Sequence, residues 1–586
     1  MSSPVAMAEY QAERRQLIAE DRSGRLDYKK GPLSEQEALA DKVIREVRAA
    51  EASSIWSREY EGIPHPFPGM EFLTGRSIIV QTKLFEILGK MPKGALLHAH
   101  LDATVNVSVL LEIAMKYPAM HVRASTALNA TNIDSILPQL SPLPQELRTA
   151  GGTALTDVNY TSNTWIPLTK ARETFDSKLG GPEGFDRWIT AALIINPTEA
   201  YVTHNTVKKI WQKFQSTFAV GAGLVRYEPI HKDYIREFIL SSIADGISYV
   251  EPRISFLRDL RPFIAADGKT LVPHREIMKG FQDVVNQVKA ELKEQGREDE
   301  FIGARIIYST IRFITPSELE WYLRDCISLK KEFPDLIAGF DLVGPEDELK
   351  PLTYYLEPLL KFREMQKEAG VSEIPFIFHG GETLGDGTEA DMNLYDAILL
   401  GTKRIGHGFS LIKHPKLMQI CKERGIAIEV CPISNEILRL TSSMHMHPLP
   451  ALLNHGIPVA LCSDDPSAFG NMGLTFDYFQ VLAASEVTGL VQLGEMAKDS
   501  INFSSMDPEE KERALTAWQK RWDVFLEYAT KEGQDFLTQF KSEVNVHDEY
   551  KPDNSVIRQQ YGSRKWMYKK TMRTEWMMMR QCNVLR

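Results

Sequence analysis

The 586-residue sequence predicts an α/β fold, a closed (β/α)8 barrel of the TIM type, on three observations. Eight short apolar runs recur from Gly94 onward, most are separated by stretches of helical periodicity, and most end in polar or ionisable residues. Continuous apolar strands alternating with helices indicate a parallel sheet buried on both faces. Eight such strands suggest a closed barrel.

The elements follow in order. Residues 1–90 are expected to form an N-terminal helical extension, because EQEALADKVIREVRAAEASSIWSREY has helical spacing and alternating charge before the prolines of IPHPFPGM interrupt it. This extension either packs on the main body or makes a subunit contact. The barrel is expected over 91–545. Its strands are GALLHAH (94–100), GISYVEPRI (246–254), ARIIYSTIR (304–312), IAGFDLVG (337–344), PFIFHGG (375–381), KRIGHGF (403–409), GIAIEVCPIS (425–434) and GIPVALCSDD (456–465). Stretches such as PSELEWYLRDCISLKKEF supply the intervening helices. The first gap, about 145 residues, exceeds what one crossover helix needs. An inserted subdomain, rich in Ser, Thr, Asn, Pro and Gly, is therefore placed at 118–180. PEEKERALTAWQKRWDVFLEYATKE continues as helix, and 546–586 is a basic C-terminal tail whose Met and Trp suit a helix packed on the barrel.

A net charge of -10 and a pI near 5.9 argue against binding nucleic acid through bulk electrostatics. No run of about 18 apolar residues exists, so no membrane span is expected. The charged N-terminus lacks a signal-peptide hydrophobic region. Cys326, Cys421, Cys431, Cys462 and Cys582 form no CxxC, a reduced-compartment pattern. The expected location is the cytoplasm.

The chemistry sits at the strand ends, which in such a barrel face one mouth. His98 and His100 are two apart, so on an extended strand both project to the same side. His379 ends the fifth strand, and Asp464 and Asp465 end the eighth. Three imidazoles and a carboxylate suit zinc, which accepts nitrogen and oxygen ligands and leaves a place for water. A second HxH pair, His445 and His447, falls in a predicted loop and is not taken as a ligand pair. In FIFHGGET, Gly380 and Gly381 let the backbone turn so that Glu382 faces substrate as an acid. His407, in RIGHGFS, could orient or deprotonate a water. Metal, base and protonated carboxyl around one cavity make a site for hydrolytic attack on an electrophilic carbon. GxSxG, GxxxxGK[ST] and HExxH are absent, as is the PCxxC with HxE of cytidine-deaminase-type zinc sites.

MPKGALLHAHLDA, AGFDLVGPED, FHGGET, RIGHG, CPISN and SDDP closely resemble the adenosine deaminase family. The first two phrases, the WQKF at 211–214, the long N-terminus and the insertion resemble its adenosine deaminase-related growth factor branch, over roughly residues 70–540. The resemblance implies a barrel of the metal-dependent hydrolase kind, with one zinc per chain held by His98, His100, His379 and Asp464. It implies Glu382 as proton donor to purine N1, His407 as assistant to the attacking water, and Asp465 as partner near N7. The backbone of Gly344 would approach N3, Asp102 would sit near the ribose 5′-hydroxyl, Trp211 would line the nucleoside pocket, and the long N-terminal extension would be the segment through which a homodimer forms. Secreted members of the branch carry a signal peptide and a disulfide in the insertion, and this chain shows neither, as expected of a non-secreted member. The implied function is deamination of adenosine and 2′-deoxyadenosine. The alternatives are another 6-aminopurine such as AMP or an N6-substituted nucleotide, a catalytically silent nucleoside-binding or signalling protein, and a barrel hydrolase of amides or other rings.

Overall fold

The structure, a computed structural model, describes residues 4–29, 31–148, 151–258 and 260–549. Eight parallel strands form its centre. They are β1 (Gly94–Leu96), β2 (Ile247–Val250 and Arg253–Ser255), β3 (Gly303–Ala304 and Ile306–Ile311), β4 (Ile337–Val343), β5 (Ile377–Gly380), β6 (Arg404–His407), β7 (Ala427–Val430) and β8 (Val459–Leu461). Each pairs in register with the next, for example Tyr308 of β3 with Phe340 of β4 and Ile405 of β6 with Ile428 of β7. A bridge from Phe340 to Phe376 joins β4 to β5, and one from His100 to Arg253 extends the pairing of β1 with β2. The ring closes beyond the regular strand ends. The Asp464 N–H donates to the His98 carbonyl at 3.1 Å, and the His100 N–H donates to the Asp464 carbonyl at 3.0 Å. The barrel is therefore closed by the residues that were singled out for their chemistry.

Local sequence accounts for the surrounding helices. Pro316–Glu332 starts with a capping box, Thr315 accepting from the Glu318 N–H while Glu318 reaches back to Thr315. Glu35–Ser54 has the same box from Ser34 and Glu37, and buries Ala40, Val43, Ile44 and Val47. That apolar face is covered by the chain's own C-terminal half, where Arg48 Nη1 donates to the carbonyls of Leu482 and Thr488 at 3.1 and 3.0 Å. The segment at 118–180 is more regular than its composition suggests. Met120–Arg123 pairs antiparallel with both Gln139–Pro142 and Ile166–Pro167, a small sheet apart from the barrel. Helix Pro508–Glu549 lies after the barrel, and its Trp518 indole donates to the Pro92 carbonyl at 2.9 Å. Most of the basic tail, residues 550–586, falls outside the described residues, as does the helix expected of it.

Candidate metal centre and active site

His98 and His100 leave β1 in extended conformation and turn to the same side. With His379 from β5 and Asp464 from β8 they form a group whose donor atoms all lie within 4.8 Å of one another. The side chains of His98, His379 and Asp464 are almost wholly buried. Carboxylates set the imidazole tautomers. His98 Nδ1 lies 2.7 Å from Glu429 Oε2, and His379 Nδ1 lies 2.7 Å from Asp341 Oδ2. A carboxylate only accepts, so each Nδ1 carries the proton and each Nε2 presents a lone pair inward. Burial is the main cause holding His100 and His379 below the usual imidazole range, in the neutral form that ligates metals.

Two observations test the group's fit to a metal ion. First, His98 Nε2 and Asp464 Oδ1 are buried with no hydrogen-bond partner, though such atoms are costly to bury unpaired. Second, the His98 and His100 Nε2 atoms each lie 3.3 Å from Asp464 Oδ1. Donors on a tetrahedral zinc, bonded at about 2.1 Å, stand about 3.4 Å apart. An overlapping group of His98, His407, Cys431 and Asp464 is less suitable, because burial raises the Cys431 thiol well above its usual range and disfavours the thiolate a metal would need.

Glu382 and His407 stand beside this group. His407 Nδ1 is 3.6 Å from Glu382 Oε1, and His407 Nε2 is 3.8 Å from Asp464 Oδ2. Burial, then Asp464 and Glu346, push the Glu382 carboxyl well above the usual range, so it holds a proton. Burial pulls His407 down to about 3, leaving a neutral imidazole. Gly381 has φ +73, and a Cβ there would meet Ser410 Oγ at 2.7 Å, so glycine is required where the chain swings Glu382 inward. His100, His379, Asp464, Glu382 and His407 open onto one cavity of about 330 Å³. Trp211, Phe214 and Leu349 give it apolar walls, and Gly344 (φ +112), Asp102 and Asp465 also line it. Asp465 Oδ1 is buried without a partner. Asp102 is already engaged, its Oδ2 accepting from Arg226 Nη2 at 2.8 Å. Nine of the ten residues singled out in the sequence thus border one space, and the tenth, His98, joins them through the ligand group.

Several supporting residues had been given no role. Asp341 and Glu429 hold two of the histidines, and buried Arg253 joins them, donating to each at 2.8 Å. Ser434 donates to Asp464 Oδ2 at 2.7 Å. His447, half of the set-aside HxH pair, bonds Asn435, whose amide lies 3.3 Å from His407 Nδ1. A signal existed for the carboxylates, since GFDLV and AIEV each place one acid in an otherwise apolar strand.

Residues 192–520 match the model of the adenosine deaminase family. Adenosine deaminase 2-A of Danio rerio is 33% identical over 497 residues, covering 84% of this chain and 90% of that protein. Adenosine deaminase 2 of Homo sapiens is 33% identical over 469 residues, 79% and 84% of the two chains. Adenosine deaminase 2 of Dictyostelium discoideum is 29% identical over 527 residues, 89% and 88%.

Proposed function

This chain belongs to the adenosine deaminase family, in its adenosine deaminase-related growth factor branch, and is an aminohydrolase; from that premise we propose that it is a zinc-dependent deaminase of adenosine and 2′-deoxyadenosine. The observation that carries this reading is the meeting, at one cavity, of a four-residue ligand group, a protonated Glu382 and a neutral His407. His98, His100, His379 and Asp464 would hold the ion. When bound, zinc supplies Lewis acidity that makes water nucleophilic near neutral pH.

The remaining steps belong to the side chains. His407 accepts a proton from the water whose oxygen adds to C6 of the purine. The electrons of the C6–N1 double bond move to N1, which takes the Glu382 proton. In the resulting adduct C6 carries both a hydroxyl and the amino group. The hydroxyl proton returns to Glu382 as the carbonyl forms, His407 gives its proton to the amino group, and the C6–N bond breaks to release ammonia. Adenosine and water thus become inosine and ammonia, with both side chains restored. Asp465 faces the ring near N7, Gly344 lets its backbone approach N3, and Trp211 closes the apolar wall. A positioned general acid contributes about 10²–10⁴-fold to such a step.

The test is the ultraviolet absorbance change of adenosine with purified protein, the product identified by chromatography, before and after chelation and zinc restoration. Conversion that disappears on chelation and returns with zinc is expected. Failure of folded, zinc-loaded protein to convert adenosine or any other 6-aminopurine overturns the reading and favours a nucleoside-binding protein.

A further inference from the structure

We propose that the cavity also takes nucleoside 5′-monophosphates, with the guanidinium groups of Arg226 and Arg261 reading the 5′-phosphate beside Asp102. The proposal rests on the deaminase reading above and names a second substrate class for the same site.

Asp102, Arg226 and Arg261 line the same cavity as Glu382 and His407. Asp102 sits on the short turn Leu101–Ala103, directly after His100. This is where a sugar would lie once the purine ring reached the acid and base. A nucleoside needs only neutral hydrogen bonding there, and Asp102 Oδ1, buried without a partner, could accept from a ribose hydroxyl. Two arginines beside one carboxylate exceed that need.

Arg226 is held rigidly. Its Nη2 donates to Asp102 Oδ2 and to the Ser255 carbonyl at 3.0 Å, its Nη1 donates to the Arg261 carbonyl at 2.8 Å, and its guanidinium stacks 4.8 Å over Phe263. Its Nε is nevertheless buried without an acceptor. The guanidinium of half-buried Arg261 has no hydrogen-bond acceptor among the described residues. Burial, and then the Arg226 charge, lower its pKa. Two guanidinium groups kept close enough to repel, with donors unmet at a cavity wall, are complementary to a compact dianion that accepts from both. A phosphate on the ribose 5′-oxygen provides one and leaves the purine end unchanged.

The experiment compares kcat/KM for adenosine and for AMP in the zinc-loaded parent and in Arg261→Met, whose side chain keeps length and loses charge. The parent is expected to turn over both substrates, and the variant to lower the AMP-to-adenosine ratio by about 10–100-fold, the span of a lost charge-assisted hydrogen bond. Calorimetric affinities for the products IMP and inosine, measured also on metal-free protein, should show the same loss of discrimination without turnover. Adenosine turnover with AMP more than a hundredfold poorer in the parent overturns the phosphate proposal and leaves the deaminase reading standing. An unchanged ratio in the variant overturns the proposal as well. Turnover of neither substrate overturns the deaminase reading, and the proposal with it.

Discussion

His407 and Asp464 both have φ +61, a left-handed backbone that non-glycine residues rarely adopt. Such strain costs of order 1–3 kcal/mol and persists where the surroundings over-determine it. Here it aims two side chains into the cavity from the ends of β6 and β8. Their neighbour Glu382 is a proton donor in this reading and no ligand. Glu382→Gln should therefore keep its zinc, measured by elemental analysis, while kcat falls about 10²–10⁴-fold. Asp464→Ala should lose zinc and activity together. Zinc lost from Glu382→Gln, or full turnover by Asp464→Ala, would refute the assignment. The identities of these residues were legible because each interrupts an apolar run at a strand end. The roles of Asp341 and Glu429 were not, since their partner Arg253 lies 88 and 176 residues away. A lone acid in a strand shows that a partner must exist and does not say which.

Between elements, two close approaches carry testable consequences. A Cβ on Gly406 of β6 would meet His98 Cε1 at 2.9 Å and Nδ1 at 3.2 Å. Gly406→Ala should therefore displace His98, a zinc ligand in the proposed function. Zinc affinity should fall about 10–100-fold, as when a metal ligand loses its supporting partner, read by competition with a chromogenic chelator. Unchanged affinity would show that β6 yields at this point. The second approach joins the N-terminal helix Glu35–Ser54 to helix Lys83–Leu88, where buried Glu51 accepts from the N–H groups of Lys83 and Leu84. Burial nonetheless raises its carboxyl to about 7 from 4.5. The folded state then binds the proton more tightly than the unfolded state, so this group's stabilisation is complete below about pH 4.5 and is lost as pH rises through 7. The shift corresponds to about 3 kcal/mol. Glu51→Gln cannot ionise, so its melting temperature should fall less than the parent's between pH 5 and pH 8. Parallel curves would refute the linkage. The helix at 316–332 was legible from the periodicity of PSELEWYLRDCISLKKEF, which is local. The antiparallel sheet at 120–167 was not, because its central strand gains its edges from residues 16 to 46 positions away.

Across the molecule, one buried ionic network ties the barrel together. Arg253 of β2 bonds Asp341 of β4 and Glu429 of β7, and Arg404 of β6 bonds Glu429 and Glu251 at 2.6 Å each. Asp341 and Glu429 in turn hold His379 and His98, so the charges that brace the wall also orient two of the proposed zinc ligands. Arg253→Met leaves two buried carboxylates short of a partner and should cost about 3–5 kcal/mol, read from the denaturant midpoint with zinc absent. A change below 1 kcal/mol would show that Arg404 and water suffice. The sequence by itself determined the eight-strand order, the strand ends that bear ligand-type residues and the family, because periodicity, residue type and motif order are written along the chain. Only the tertiary structure decided that the ring closes through His98, His100 and Asp464, that Glu382 keeps its proton, and that Asp102 is engaged by Arg226. Those outcomes depend on distance and on exclusion of water, which exist only once residues remote in the chain share one low-dielectric space.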